Sequence, residues 1–196
     1  MVFSRLIPFV AICLPGIGFL ATAQSPSGAA SLNIESSEIA FASQRDGNWE
    51  IYVTDSGGRS QRRLTRRDVQ DRFPLWSPDG ARIAFGSQVH SGWELWVMDS
   101  SGTRERRLCS QIVAKSARGW SRDGKRIAFA AVADENIDVY AVDVESTQVT
   151  RLTSSPGEDR DPSWSPDGTR LAFSSTRDSL RVRHSIRNGG LDGNPV

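Results

Sequence analysis

A short tripeptide recurs through the chain at a constant spacing. Ile39-Ala40-Phe41 returns as Ile83-Ala84-Phe85, Ile127-Ala128-Phe129 and Leu171-Ala172-Phe173, and each copy begins 44 residues after the previous one. Three further sets keep the same spacing: Trp76, Trp120 and Trp164; Asp79-Gly80, Asp123-Gly124 and Asp167-Gly168; Arg63-Leu64, Arg107-Leu108 and Arg151-Leu152. The chain is therefore expected to consist of one structural unit that is repeated.

Each repeat contains short β-forming runs that are separated by turns. In the second copy, residues 73–77 lead into Ser77-Pro78-Asp79-Gly80, in which proline, aspartate and glycine favour a tight turn. Further strand-forming runs follow at residues 82–85, 93–98 and 104–109, and no segment shows a sustained helical period. Four strands in about 40–45 residues are typical of a β-propeller blade. The sequence therefore predicts an all-β propeller of four-stranded antiparallel blades.

The repeats are too few for a standard closed ring. Three nearly whole units, residues 31–65, 73–109 and 117–153, precede the first half of a fourth at residues 161–176. Rings hold about 4–8 blades, and six blades at this period need about 264 residues. We therefore expect an incomplete ring of about three and a half blades. Its two end blades are expected to expose apolar side chains such as Phe41 or Phe173 and so to favour self-association.

The N-terminal region differs from the repeats. Arg5, an apolar stretch from Leu6 to Leu20, and Ala21-Thr22-Ala23 form the pattern of a secretory signal peptide, which is predicted to span residues 1–23. Residues 24–36 are predicted to form a lead-in that includes part of the first strand. This pattern predicts a periplasmic or secreted protein with no membrane span after cleavage.

The C-terminal region departs from the repeats as well. The blades are assigned to residues 37–178, and the turn-rich sequence of residues 179–196 predicts a disordered tail. We interpret the abrupt change as a truncation or frameshift. The alternative is a natural end after a poor third strand that contains Leu180 and Val182.

Charge and composition exclude several classes of function. Twenty-four Lys and Arg balance 23 Asp and Glu, so the net charge of +1 gives no drive toward nucleic acid. Removal of Cys13 with the signal would leave only Cys109, interpreted as a partly buried strand residue, so no disulfide is expected within the chain. His90 and His184 are the only histidines, and no cysteine cluster accompanies them. We expect no bound metal and no cofactor.

A catalytic serine is not expected either. The nearest match to a nucleophile elbow is residues 119–123, which lack the final glycine and align with the blade turn at residues 75–79. Ser121 is therefore interpreted as a turn residue, and the chain as non-catalytic. The recurring turn aspartates are interpreted as backbone caps rather than calcium ligands. The recurring tryptophans are interpreted as packing between blades rather than as a sugar-binding platform.

One charged pattern remains as a candidate binding site. Asp71-Arg72 and Asp159-Arg160-Asp161 stand just before the first strand of a blade, and Arg118 belongs to the corresponding segment of the middle unit. Because the innermost strand of a propeller blade lines the axis, these residues are predicted to lie at the channel mouth. A surface for a peptide or protein partner and an internal network of Asp–Arg pairs both fit this pattern.

The blade sequence also resembles that of a known family. Trp-Ser-Pro-Asp-Gly, then Ala-Phe, Glu-Leu-Trp-Val-Met-Asp and Arg-Arg-Leu, is similar to the repeat of TolB-type propellers over residues 37–178. TolB proteins carry a small α/β domain before six blades, and that domain is not expected here. The resemblance implies a periplasmic scaffold that contacts a peptidoglycan-associated lipoprotein, supports envelope integrity and takes part in protein import. A similar repeat occurs in prolyl-oligopeptidase-like peptidases, so the alternative is a propeller fragment that gates the catalytic domain of a secreted hydrolase.

Overall fold

The regular structure of the chain is made of β-strands. We analysed a computed structural model that describes residues 22–23, 37–90, 92–113, 119–177 and 182–187, and every regular element within these ranges is a strand. The first blade contains β1 (Thr22–Ala23), β2 (Glu38–Ser43), β3 (Glu50–Asp55) and β4 (Gln61–Arg63). The second contains β5 (Asp71–Trp76), β6 (Arg82–Val89), β7 (Gly92–Asp99) and β8 (Arg106–Ile112). The third contains β9 (Gly119–Trp120), β10 (Arg126–Ala133), β11 (Asn136–Asp143) and β12 (Val149–Arg151), and the fourth contains β13 (Asp159–Trp164), β14 (Arg170–Ser175) and β15 (Val182–Arg187).

Consecutive strands pair antiparallel within each blade. The second strand of the four blades begins at Glu38, Arg82, Arg126 and Arg170, which keeps the 44-residue spacing without a slip. One additional pairing, between Ala131 of β10 and Ile112 of β8, joins the sheets of the second and third blades. The all-β, four-stranded blade prediction is confirmed, and the chain forms part of a propeller rather than a closed ring.

The C-terminal segment differs from the sequence prediction. Residues 182–187 form β15, which pairs with β14 from Arg170–Arg187 to Ser175–Val182. This part of the tail is therefore a third strand, where we had predicted disorder. It contains the β-forming residues Val182 and Ile186, although it shares no residue type with Glu50–Asp55 at the same repeat positions. The other residues of the tail lie outside the described residues.

The repeated Ser-x-Asp-Gly turns are closed by side-chain hydrogen bonds. In the second blade, the Ser77 hydroxyl donates to Asp79 at 2.6 Å and accepts from the backbone N–H of Arg82 at 2.9 Å. Gly80 adopts a φ of 70°, which favours glycine. The same bonds recur in the third and fourth blades, so the interpretation of these aspartates as turn caps is confirmed.

Apolar cores lie between neighbouring blades. We call these blade boundaries the first, second and third junctions, in chain order. Trp76 packs at the first junction, Trp120 at the second and Trp164 at the third. Trp76 and Trp120 are buried as predicted. Trp164 is only half-buried, and among the described side chains the apolar cluster at its junction is the smallest of the three.

The two end blades do not expose the side chains that we expected. Phe41 and Phe173 are both buried. Phe41 stacks on Tyr52, and the Arg45 guanidinium covers both rings at 5.2 and 4.7 Å, whereas Phe173 packs into the third junction. The prediction of open apolar faces at these residues was therefore wrong. No helix among the described residues is long and apolar enough to cross a membrane.

Candidate functional site

The strand directions give each blade two different edges. One edge carries the links between consecutive blades, such as residues 64–70, and the hairpins between the second and third strands. We call it the link face. The opposite edge, the turn face, carries the Ser-x-Asp-Gly turns. On the turn face, Arg82 donates to the carbonyl of Gly124 and Arg122 to that of Pro166, so the same edges of neighbouring blades lie side by side. The predicted channel-mouth residues are on the link face, where β5 and β13 begin.

Asp71 is buried at the first junction. Its carboxylate accepts two hydrogen bonds from Arg67, at 2.7 and 3.2 Å, and its backbone N–H donates to the carbonyl of Trp49. Arg67 also stacks 4.1 Å from the ring centre of Trp96. Burial raises the pKa of Asp71, and the adjacent Arg67 opposes this rise. Asp71 is thus a buried partner of Arg67 and is not available to solvent.

A second buried carboxylate recurs in three blades. Glu50 is fully buried and accepts hydrogen bonds from Arg63 at 2.8 Å and Thr65 at 2.5 Å. The same arrangement links Asp138 to Arg151 and Thr153, and Glu94 to Arg107. We did not predict these pairs from the sequence. Their 44-residue spacing was the signal that could have revealed them.

Arg72 has a different environment from its neighbour. Its guanidinium lies 4.2 Å from the ring centre of Trp49, and its Nε is buried without a hydrogen-bond partner. Burial lowers the pKa of Arg72. The side chain as a whole is half-buried, so it remains partly accessible on the link face.

The corresponding residues of the fourth blade lie at the third junction. Asp159 is buried and bonds Arg177 at 2.9 Å through one oxygen, while its other oxygen has no partner. Arg160 bonds Glu158 at 3.1 Å. Asp161 is half-buried in β13. The structure therefore places Asp71 and Arg72 at one junction and these three residues at another, and Arg118 lies outside the described residues.

A strained bulge follows the charged residues in both strands. Phe73 and Asp161 adopt φ values of 59° and 54°, and each precedes a proline. A positive φ is uncommon for residues other than glycine, most of all for a bulky one such as Phe73, and proline disfavours a helical backbone in the residue before it. The pairing register shifts here, between Arg72 and Leu75 in β5 and between Arg160 and Ser163 in β13. In β5 the bulge places the Phe73 ring 5.4 Å from that of Trp93.

The groups that could support catalysis are held in structural contacts. Ser121 is buried, and its hydroxyl is bonded to Asp123 and to the backbone N–H of Arg126. Cys109 is partly buried in β8, as predicted. Within the part of the chain that the structure describes, no cluster of three His, Cys, Asp or Glu residues could hold a metal ion.

Comparison with known proteins identifies the fold. A family model described as the TolB beta propeller domain matches residues 110–181. A protein assigned as TolB from Agrobacterium tumefaciens superposes with a TM-score of 0.65 at 24% identity, covering 87% of this chain and 60% of that one. TolB from Acinetobacter baumannii gives a TM-score of 0.60 at 24% identity, with coverages of 90% and 42%. The chain thus spans less than two thirds of the length of either TolB protein.

A more distant similarity extends to an enzyme. Oligogalacturonate lyase from Vibrio parahaemolyticus superposes with a TM-score of 0.63 at 11% identity, covering 80% of this chain and 46% of that one. No curated protein matches the chain in sequence. The chain therefore carries a TolB-like β-propeller fold, and at these identities the structural similarity establishes the fold alone.

Proposed function

We propose that this TolB-like propeller is a non-catalytic protein-binding module of the bacterial cell envelope, and that it binds its partner on the link face. One observation carries the proposal: Trp49, Arg72, Phe73 and Trp93 are all half-buried at the link-face ends of the first two blades. Tryptophan and arginine are enriched among the residues that dominate binding energy at protein interfaces. The hydroxyl of Ser121, the nearest match to a catalytic serine, is engaged in a blade turn, which supports the non-catalytic part of the proposal.

The proposed location rests on the sequence. The predicted signal peptide at residues 1–23, whose last two residues form β1 in the uncleaved chain, and the resemblance to TolB proteins support export to the periplasm and a role in envelope integrity and protein import. The same resemblance supports a lipoprotein as the partner. Cell fractionation tests the location, and recovery of the protein only in the cytoplasm would contradict it. A fluorophosphonate probe tests catalysis, and we expect no labelling of Ser121.

Site-specific photo-crosslinking tests which face binds the partner. A photoreactive benzoylphenylalanine replaces Gln88, an exposed residue of the link face, and in a second variant Lys125, an exposed residue of the turn face. We expect a discrete crosslinked protein in intact cells from the Gln88 variant and none from the Lys125 variant. Crosslinks from Lys125 alone would contradict the proposed face, and the absence of crosslinks from both variants would contradict the proposed function.

A further inference from the structure

Arg72 is unusual among the half-buried arginines of the link face. Arg67 bonds Asp71, Arg63 bonds Glu50 and Arg177 bonds Asp159. Within the described residues, Arg72 makes no ion pair with a carboxylate, and its guanidinium stacks on Trp49. Its Nε is enclosed by protein without an acceptor. A buried donor that lacks a partner is unfavourable, and native proteins rarely leave one unexplained.

The nearby carboxylates are not available to Arg72. Asp71, its neighbour in sequence, accepts both hydrogen bonds from Arg67. Glu50 is held by Arg63 and Thr65. The chain therefore holds a cation on Trp49 and commits Asp71 and Glu50 to other arginines. This arrangement leaves an unmatched positive charge on the surface that we propose binds the partner.

We propose that Arg72, held against Trp49, binds the carboxylate of an Asp or Glu side chain in an extended peptide segment of the partner. The inference rests on the proposed function and adds the chemistry of the partner. A planar guanidinium can bind a carboxylate through two parallel hydrogen bonds, which makes arginine selective for this group. The half-buried rings of Phe73 and Trp93 contact each other at the same end of the second blade, where Trp93 packs against the core of the second junction, and suit an apolar residue of the same segment.

The corresponding arginine of the fourth blade provides a matched control. Arg160 occupies the position two repeats after Arg72, but it bonds Glu158. The residue two repeats after Trp49 is Ile137, which offers no aromatic face. Arg160 therefore has its own anion and lacks the aromatic support, so its replacement should not change recognition of an acidic peptide.

Selection from a random heptapeptide display library against the full chain tests the proposal. We expect the peptides selected by the wild-type protein to be enriched in Asp or Glu at one position. The affinity of one selected peptide and of its Glu→Gln or Asp→Asn analogue is then measured by fluorescence polarisation. We expect the analogue to bind the wild-type protein at least about tenfold more weakly. In Arg72→Gln the two peptides should bind equally, whereas Arg160→Gln should behave as the wild type.

The outcomes separate this inference from the proposed function. Selected peptides without an acidic preference, or a preference that survives in Arg72→Gln, would overturn the inference and leave the binding module intact. Failure to select any peptide would count against both. Thermal melts monitored by circular dichroism show whether Arg72→Gln is folded. An Arg72→Lys variant, which keeps the positive charge, serves as a second test of the position. A variant that melts as the wild type and keeps full acidic preference without Arg72 overturns the inference.

Discussion

The first and third junctions have similar backbones but differ in their exposed chemistry. At both junctions an asparagine side chain holds the link: Asn48 donates to the carbonyls of Arg67 and Val69, and Asn136 donates to those of Ser155 and Gly157. A buried aspartate begins the inner strand at both, and a bulge with positive φ follows. Around this common frame, the first junction pairs Arg72 with Trp49, whereas the third pairs Arg160 with Glu158.

This difference separates the repeat positions that maintain the fold from those that determine the exposed chemistry. The positions that agree between the junctions hold the links, start the strands and bury the carboxylates. The positions that disagree determine which charged groups remain unmatched at the surface. In a repeat protein the same backbone is built several times, so a binding site is best sought where one copy departs from the others.

The largest expected loss of stability comes from truncating the tryptophan in the apolar core of each junction. Trp76 is buried among eight other buried side chains of the first junction, whereas Trp164 is half-buried against a smaller cluster. Trp76→Ala should lower the free energy of unfolding by about 4 kcal/mol, and Trp164→Ala by about 2 kcal/mol. Urea denaturation of the full chain measures both values. Equal losses would show that the two cores are equivalent.

Removal of the cation that pairs with the buried aspartate should have the next largest effect. Arg67→Met leaves Asp71 buried without the arginine that bonds both of its oxygens, and should cost about 3 kcal/mol at neutral pH. Arg177→Met removes one bond from Asp159 and should cost about 1.5 kcal/mol. Thermal melts of both variants at pH 7 compare them. A larger loss of stability in Arg177→Met would contradict the expectation that Asp71 depends more on Arg67 than Asp159 depends on Arg177.

The carboxylates of the junction and those of the turns should respond to pH in opposite directions. Hydrogen bonds from Ser77 and Ser121 lower the pKa of Asp79 and Asp123, so their contribution to stability is present above about pH 4 and is lost as the pH falls through their lowered pKa values. Burial raises the pKa of Asp71, so its ionisation opposes folding as the pH rises through that raised value.

Denaturation midpoints between pH 2 and pH 8 test these signs. Joint replacement of Asp79 and Asp123 by asparagine should flatten the loss of stability in acid. Asp71→Asn should instead remove the part of the profile in which stability falls as the pH rises from the ordinary aspartate pKa to the raised pKa of Asp71. If the double variant of Asp79 and Asp123 loses stability at low pH as the wild type does, these hydrogen bonds do not contribute to the pH dependence.

The smallest expected effect is a partial transfer of the binding site to the third junction. In an Arg72→Gln background, Ile137→Trp supplies an aromatic face near Arg160, and Glu158→Gln removes its anion. Display selection should then recover a weak acidic preference. Glu158→Gln without Ile137→Trp is the control. An equal recovery in this control would show that the aromatic ring is not part of the site.

The sequence predicted the repeat well and the charged contacts poorly. The 44-residue spacing located the blades because the turn and core residues recur in every copy. It favoured disorder over a third strand at β15, whose residues do not match the other copies, and it missed the pairing of Glu50 because charged residues are rarely fully buried. The stacking of Arg72 on Trp49 could not be predicted, since it depends on how two blades meet around a link.

Photo-crosslinking at matched positions beside the two junctions tests the central claim most directly. Arg66 and Ser154 are exposed link residues two repeats apart. Benzoylphenylalanine at these two positions therefore probes equivalent places beside the first and the third junction. We expect strong crosslinking to the partner in intact cells from position 66, weak or no crosslinking from position 154, and loss of the first signal in Arg72→Gln. Equal crosslinking from both positions, or a signal from position 66 that does not depend on Arg72, would contradict the account.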